Sequence, residues 1–184
     1  MARPLLADAE FVIKAEQNRA DEINTCIACN QACLDHVFNG QLTSCLVNPR
    51  ACYELDLNIE VSETKKNIAV IGAGPAGLAA AVTAAQRGHN VSLFDSAETI
   101  GGQFNLAKRI PGKEEFNETI RYFQRQLEIH NIDVKLGQRV TTQQLNESNF
   151  DEVMIATGIA PRTPEIDGID HPSVVSYIDV ISGK

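Results

Sequence analysis

The chain has 184 residues, of which 43% are hydrophobic and 22% are charged, as in an ordinary globular protein. Lysine and arginine number 16 and aspartate and glutamate 24, which gives a formal net charge of −8, and tryptophan is absent. This acidity argues against binding to nucleic acid or to an anionic membrane, and the shortage of aromatic residues argues against base stacking. The most informative part of the composition is the five cysteines, which all lie between Cys26 and Cys52.

The N-terminal residues 1–20 have the pattern of an amphipathic helix, with Phe11, Val12 and Ile13 among charged residues. No apolar signal-peptide core with a cleavage site follows the first residues. We therefore expect the chain in the cytoplasm, a reducing compartment where structural disulfides are rare.

Residues 21–60 are rich in cysteine and otherwise irregular, with a short helix predicted over residues 29–37 and a polar linker over residues 60–66. Four of the cysteines have the spacing Cys26-x2-Cys29-x3-Cys33-x11-Cys45. A CxxC pair holds two sulfurs at neighbouring corners of a site, a third cysteine follows one helical turn later, and the fourth returns from a distant loop. Four thiolates suit either Zn²⁺ or a [4Fe–4S] cluster.

Three bunched cysteines and one remote cysteine favour an iron–sulfur cluster, because structural zinc sites more often use two CxxC-type knuckles or include histidine. A zinc site, in which His36 could replace a cysteine, stays open. A further open alternative is that the cysteines bind no ligand or form a disulfide. We expect Cys52 to be a buried small apolar residue outside the site.

From residue 67 onward, short apolar strands alternate with helices. The pattern predicts strands over residues 68–71, 91–94, 132–136 and 151–156. It predicts helices over residues 75–87 and 114–130, the second with one apolar face. Strands separated by helices imply parallel βαβ units. The predicted fold class is therefore α/β, a Rossmann-like domain with a parallel sheet, preceded by an irregular helical cysteine segment.

The end of the first predicted strand carries the motif G-x-G-x-x-G. Gly72 makes the tight turn, Gly74 lets a pyrophosphate approach the backbone, and Gly77 lets the helix pack against the strand. Asp95 ends the second strand, where a carboxylate can bind a ribose hydroxyl. The alternative is a glycine turn that binds nothing. The uncharged run over residues 68–85 fits this strand, turn and helix better than a membrane span.

Two later glycine turns bear on which dinucleotide binds. Gly102 and Gln103 follow the second strand, and Thr157 and Gly158 follow the strand predicted over residues 151–156. Each could be an ordinary turn. Both features recur in the FAD domains of reductases with two dinucleotide-binding domains, so together with the first motif they favour FAD over NAD.

Seven segments carry a family resemblance: ARPLLAD (2–8), DEINTCIACNQAC (21–33), TSCLVNPRAC (43–52), IGGQFN (100–105), PGKEEF (111–116), PRTP (161–164) and DGIDHP (167–172). Together they resemble the bacterial NADPH-dependent 2,4-dienoyl-CoA reductases, iron–sulfur flavoenzymes of the NADH:flavin oxidoreductase (old yellow enzyme) family. The resemblance covers essentially the whole chain. The related trimethylamine dehydrogenases have a similar layout but space the cysteines differently.

The resemblance implies a larger polypeptide with an FMN-containing TIM barrel, a cluster segment, an FAD domain and an NADPH domain. By this resemblance residues 1–20 are the C-terminal tail of the barrel, residues 21–60 the [4Fe–4S] segment, and residues 67–184 an incomplete FAD-binding domain. We therefore expect the chain to be a piece of a longer protein. The family's catalytic residues, acyl-CoA site and NADPH site have no counterpart in it.

Carried over residue by residue, the resemblance assigns the four cluster ligands to Cys26, Cys29, Cys33 and Cys45. It assigns contacts with FAD to Ala76, Asp95, Gln103, Lys113 and Val140. Ala76 would lie beside the pyrophosphate, Asp95 on the adenosine ribose, and the backbone of Val140 near adenine. Ala2 and Arg3 match the end of the barrel that binds the FMN phosphate.

The function implied by the resemblance is an electron relay from FAD through a [4Fe–4S] cluster to FMN. The parent enzyme would use NADPH to reduce conjugated dienoyl-CoA thioesters in the β-oxidation of unsaturated fatty acids. We expect this chain alone to lack that activity. One alternative is the equivalent section of a relative that acts on another enoate or on an amine. Another is a zinc-stabilised nucleotide-binding module with no redox role.

Overall fold

The computed structural model describes residues 1–183, and its centre is a parallel sheet with the strand order β3-β2-β1-β4. The strands are β1 (Asn67–Ile71), β2 (Asn90–Phe94), β3 (Asp133–Lys135) and β4 (Glu152–Ile155). The α-helices are α1 (Arg3–Ala7), α2 (Phe11–Glu16), α3 (Leu34–Phe38), α4 (Pro75–Gln86), α5 (Phe104–Ala107), α6 (Phe116–Ile129), α7 (Thr142–Asn146) and α8 (Tyr177–Ser182). A 3-10 helix covers Ala20–Glu22.

The core lies where β1 and β2 meet α4. Val70 and Leu93 are fully buried in the sheet, and Leu78 packs on them from α4. A central parallel strand is covered on both faces, which explains why β1 is continuously apolar after Asn67 rather than alternating. The α/β class with a parallel sheet is confirmed.

Local sequence signals set the bounds of α4. Pro75 occupies the first turn, where its fixed φ suits a helix and its missing N–H costs nothing. The helix ends before Gly88, which has a φ of +87°. The uncharged run of residues 68–85 is thus divided between β1 and α4. None of the helices within residues 1–183 is long and apolar enough to cross a membrane.

The strand order reverses beside β1. The chain runs from β1 outward through β2 to β3, and then returns to place β4 on the other side of β1. In open parallel sheets, ligands bind in the crevice that such a reversal leaves at the carboxyl ends of the strands. The topology therefore points to the turn after β1 as a binding site.

Two predictions for the N-terminal third are wrong. Residues 1–20 form α1 and α2 rather than one helix, because Asp8 is extended (φ −147°) and its side chain accepts the backbone N–H of Glu10 at 3.0 Å. The helix predicted over residues 29–37 begins only at Leu34. Ala28 and Asn30 have φ values of +52° and +61°, which no α-helix permits.

Candidate functional site

Two glycines in the turn after β1 lie so close to neighbouring backbone atoms that neither position has room for a side chain. A Cβ on Gly72 would lie 2.2 Å from the carbonyl oxygen of Ala156, and a Cβ on Gly77 would lie 1.7 Å from the carbonyl oxygen of Gly72. Gly72 also has a φ of +112°. These two glycines therefore close the strand–turn–helix unit.

Gly74 differs from its neighbours because space remains beside it. A Cβ there would come no closer than 4.0 Å to another backbone atom, the Cα of Gly102. Gly102 has a φ of +51°, and the N–H of Gly101 donates to the carbonyl of Ala73 at 2.8 Å. The first glycine turn and the second thus face each other at the N-terminus of α4.

The third glycine turn meets the first two. The N–H of Ala156 donates to the carbonyl of Ile71 at 2.8 Å, and Thr157 and Gly158 follow it, both exposed. The side-chain amide of Gln103 donates to the carbonyl of Ile159 at 3.3 Å. The three turns therefore line one crevice at the end of β1. An extended dinucleotide could lie there against backbone N–H groups and the positive end of α4.

Asp95 holds the glycine turn, a role that the sequence did not predict. One carboxylate oxygen accepts the N–H of Ala73 at 2.6 Å and the other accepts the N–H of Ala97 at 2.8 Å. An ionised carboxylate can accept about four hydrogen bonds. Ribose hydroxyls can therefore still bind, on a carboxylate that the backbone has already oriented.

The other residues matched to FAD contacts do not all lie in this crevice. Ala76 is exposed in the first turn of α4. The Lys113 ammonium lies 5.8 Å from the ring centre of Phe116, which packs on Phe104 next to Gln103. Val140 lines a separate open depression, whose other lining residues include Phe94, Lys135, Arg139 and Phe150. The strand end at Asp95 joins that depression to the crevice, since the carbonyl of Asp95 accepts the N–H of Gln138 at 2.9 Å.

The four spaced cysteines line one cavity. Each is partly buried, and Cys52 is exposed and lies outside the cavity, so its predicted burial is wrong. The cavity is lined by Arg3, Leu6, Cys26, Ile27, Cys29, Asn30, Ala32, Cys33, Cys45, Leu46 and Val47. His36, considered as a zinc ligand, is absent from this lining, and its Nδ1 lies 3.1 Å from the carbonyl oxygen of Leu42.

The separation of the thiols bears on which metal fits. Within residues 1–183, no three histidine, cysteine or acidic side chains converge closely enough to hold a metal ion. Around one Zn²⁺ the thiolates would lie about 3.8 Å apart, given a Zn–S distance of about 2.3 Å. A four-iron cluster separates its thiolates further, because a metal–sulfide core stands between them. As the structure places residues 1–183, the four thiols do not converge on a single ion; they line one cavity and form the four-thiolate donor set that a cluster would use.

Burial dominates the surroundings of the Cys45 thiol and favours its neutral form. Burial raises the pKa of this thiol, the nearby Cys26 and Cys29 raise it further, and the backbone N–H groups of Val47 and Asn48 lower it. The two N–H groups can donate to the Cys45 sulfur, and such hydrogen bonds are one means by which a protein sets a cluster's potential.

The loop around Cys29 stores backbone strain. Ala28 has a positive φ, which costs roughly 1–2 kcal/mol, and Asn30 has one too, which asparagine tolerates better than other residues with a side chain. Strain of this kind persists where the surrounding structure requires it, often at ligand sites. Asn30 also accepts a hydrogen bond from Arg3 through its Oδ1. Arg3 thereby reaches the cysteine cavity, whereas Ala2 is exposed before α1.

The comparison with protein families gives a clear match. A sequence model of the family described as pyridine nucleotide-disulphide oxidoreductase matches residues 66–182. The chain belongs to this family. The match begins just before β1 and covers the whole sheet and the glycine crevice. The cysteine segment lies outside it.

Individual proteins resemble the chain over all or nearly all of its length. It is 37% identical to a metal reductase of Desulforamulus reducens over 100% of this chain and 28% of that protein. It is 36% identical to a bilirubin reductase of Mediterraneibacter gnavus over 99% of this chain and 28% of that protein. A solved structure of 2-naphthoyl-CoA reductase in complex with 2-naphthoyl-CoA superposes with a TM-score of 0.95 at 37% identity, over 100% of this chain and 28% of that one. The chain thus spans little more than a quarter of the length of these relatives.

Sequence reasoning missed several residues that position these sites. They are Asp8, Asn24 and Asn30 near the cysteines and Arg121 on α6. Each acts through hydrogen bonds between parts of the chain far apart in sequence. A motif or a periodicity could not indicate them. The second role of Asp95 was missed for the same reason.

Proposed function

We propose that the chain is the electron-relay section of an NADPH-dependent 2,4-dienoyl-CoA reductase, passing electrons from FAD through a [4Fe–4S] cluster to FMN. One observation carries this proposal. The four spaced cysteines, without Cys52, line one cavity in a chain that also holds a crevice of three glycine turns. FAD accepts a hydride, whereas an iron–sulfur cluster passes single electrons, so the pair connects two-electron and one-electron chemistry.

The chain's own residues would bind and orient these groups. Gly74 and Gly102 leave room for the pyrophosphate of FAD, and Asp95 accepts the ribose hydroxyls. Gln103, Lys113 and Val140 are our candidates for the remaining contacts. Cys26, Cys29, Cys33 and Cys45 would hold the cluster. Ile27, which is buried, and the partly exposed Leu46 contribute apolar surface to the cavity lining.

The acyl-CoA substrate is supported by the resemblance and by the likeness to 2-naphthoyl-CoA reductase, a protein crystallised with an acyl-CoA thioester. The bilirubin and metal reductases are about as similar in sequence, so the alternative is the equivalent section of a reductase with another substrate. Substrate contacts, FMN and the NADPH site would lie in other parts of the parent protein.

Metal analysis of anaerobically purified chain tests the relay. We expect about four iron and four labile sulfide per chain. One zinc without iron would refute the relay and support the nucleotide-binding module. Cys45→Ser should lose the cluster, and the matched Cys52→Ser should keep it. Equal iron loss in both variants would contradict the ligand assignment.

The substrate is tested separately in the full parent polypeptide. NADPH oxidation with a 2,4-dienoyl-CoA thioester should exceed that with bilirubin. The reverse preference would favour the alternative while leaving the relay intact. The isolated chain should show neither activity.

A further inference from the structure

Helix α6 contacts the supports of both candidate sites through two adjacent residues. On one side, Ile120 lies against Gly101, since a Cβ on that glycine would come 3.0 Å from the Ile120 Cδ1. Gly101 belongs to the second glycine turn and directly precedes Gly102 of the crevice. On the other side, Arg121 donates to backbone carbonyls of residues 21–23. A displacement of this turn of α6 would therefore disturb both contacts.

The contact with the glycine turn extends along α6 by one helical turn. Phe116 lies four residues before Ile120, on the same face of the helix. The Phe116 ring centre lies 4.9 Å from that of Phe104, which begins α5 directly after Gln103. The N–H of Phe104 in turn donates to the carbonyl of Gly101 at 3.0 Å. The second glycine turn and α5 therefore rest together on α6.

The contact with the cysteine segment combines charge with hydrogen bonds. Arg121 also donates through its Nη2 to the Oγ1 of Thr25 at 3.4 Å, and Thr25 directly precedes the first cysteine. One turn further along α6, the Nε of Arg125 lies 2.7 Å from a carboxylate oxygen of Asp21. The two arginine side chains are 34% and 38% exposed, so water screens their charges in part. Residues 21–25 are thus attached to α6 by two partly exposed arginines.

We propose that α6 couples the two sites, so that FAD in the crevice orders residues 21–25 and a cluster on the cysteines raises the affinity for FAD. This inference rests on the proposed function, since it requires both groups. FAD would restrain the turn at Gly102, and through α5 and α6 it would favour the attached position of residues 21–25. A cluster bound by Cys26 would favour the same position. Because the coupling free energy is shared, each group must strengthen the binding of the other by the same factor.

The coupling requires two positions of residues 21–25, attached to α6 and detached from it. Segments held by few contacts open locally at a small cost in free energy. The detached position should therefore be populated when both sites are empty. Couplings between two sites typically change affinity about 5–150-fold. Because the arginine contacts are partly screened, we expect the low end of this range, a decrease of about fivefold in the Kd for FAD when the cluster is present.

The first test needs no cluster. Hydrogen-exchange mass spectrometry of the iron-free chain, with and without saturating FAD, measures the order of residues 21–25 directly. FAD should slow their exchange about fivefold in wild type and should not slow it in Arg121→Ala. Arg87→Ala is the matched control, because Arg87 at the end of α4 also donates to a backbone carbonyl, that of Glu60 at 3.4 Å, outside residues 21–25. It should respond as wild type does.

The second test measures the Kd for FAD by equilibrium dialysis, in iron-free chain and after anaerobic reconstitution of the cluster. Iron and sulfide are measured first. Reconstitution should lower the Kd about fivefold in wild type and in Arg87→Ala, and should leave it within about twofold in Arg121→Ala. If Arg121→Ala does not fold, Ile120→Val replaces it. That variant removes only the methyl group that contacts Gly101, and it should likewise reduce the coupling.

The outcomes separate this inference from the proposed function. Unchanged exchange of residues 21–25 when FAD binds, or a Kd for FAD that does not depend on the cluster, would overturn the coupling and leave the relay standing. Undiminished coupling in the α6 variant would show that α6 does not transmit it and would refute the proposal. Wild-type chain that takes up no iron or no FAD would overturn the relay and this inference with it.

Discussion

Arg121 of α6 binds the backbone just before the first cysteine. Its Nη1 donates to the carbonyl of Asp21 at 2.6 Å and its Nη2 to the carbonyl of Ile23 at 2.8 Å, while its Nε donates to Glu118 at 2.7 Å. Arg121 belongs to the α/β domain, and both carbonyls lie within five residues of Cys26. A helix of the dinucleotide-binding fold therefore fixes where the cysteine cavity sits relative to the crevice.

We expect Arg121→Ala to loosen this attachment. Two carbonyls lose a charged donor, which should lower the free energy of unfolding by about 1–3 kcal/mol. Amide exchange should become faster over residues 20–27 and stay unchanged in β1. Urea denaturation and hydrogen-exchange mass spectrometry measure the two effects. The exposed Arg162, replaced by alanine, serves as the control, and equal exchange in both variants would show that Arg121 does not hold this segment.

Two substitutions in the glycine crevice test FAD binding and folding separately. Gly74→Ala has room for its methyl group, so stability should change by less than about 1 kcal/mol while FAD affinity falls, because the methyl fills the space beside Gly102. Gly77→Ala would place its Cβ against the Gly72 carbonyl, so the chain should unfold or lose several kcal/mol. Thermal unfolding and flavin fluorescence titration distinguish the two. Undiminished FAD affinity in Gly74→Ala would place the pyrophosphate elsewhere.

Asp8 joins the N-terminal segment to the cysteine segment. Its buried carboxylate accepts the backbone N–H of Asn24 at 2.9 Å and pairs with Lys14, whose side chain is 12% exposed. Asp8→Ala leaves the nearly buried Lys14 ammonium with only Glu10, 3.9 Å away, and leaves a buried N–H without an acceptor, which should cost about 3–5 kcal/mol. Chemical denaturation measures the loss, with the exposed Asp56→Ala as control. If Lys14→Met in the Asp8→Ala background restores no stability, the unpaired ammonium is not the cause.

The α/β domain could be predicted from the sequence because its signals are local. The apolar run of β1, the glycine turn and the alanine-rich α4 each indicate their structure within a few residues, and the parallel order follows from alternating strands and helices. Gly72, the first glycine of the motif, lies against the backbone of Ala156, as expected for the glycine that makes the tight turn. The bounds of α6 differ from the prediction by two residues at its start and one at its end.

The sequence indicated which cysteines lie together, but not the shape of the segment that carries them. Spacing alone singled out the four cysteines that line the cavity and left out Cys52. The path between them depends on left-handed residues at Ala28 and Asn30 and on the amide of Asn24, which donates to the carbonyl of Val47 at 2.7 Å. Such contacts join distant segments, and neither helical periodicity nor residue propensity encodes them.

The pKa of Tyr122 tests the contact between α6 and the N-terminal segment that contains Asp8. Burial, with a smaller contribution from the negative charge of Asp8, raises the pKa of Tyr122 from 10.0 to about 12. Because the folded-state pKa lies above the unfolded one, the stabilisation is complete below pH 10 and is lost as the pH rises through 12. The loss should approach about 2–3 kcal/mol. Tyrosinate absorbance should show a step near pH 12 that Tyr122→Phe removes and Tyr177→Phe leaves in place. Asp8→Asn should move that step to lower pH, and a step unaffected by Tyr122→Phe would mean that α6 does not bury this side chain.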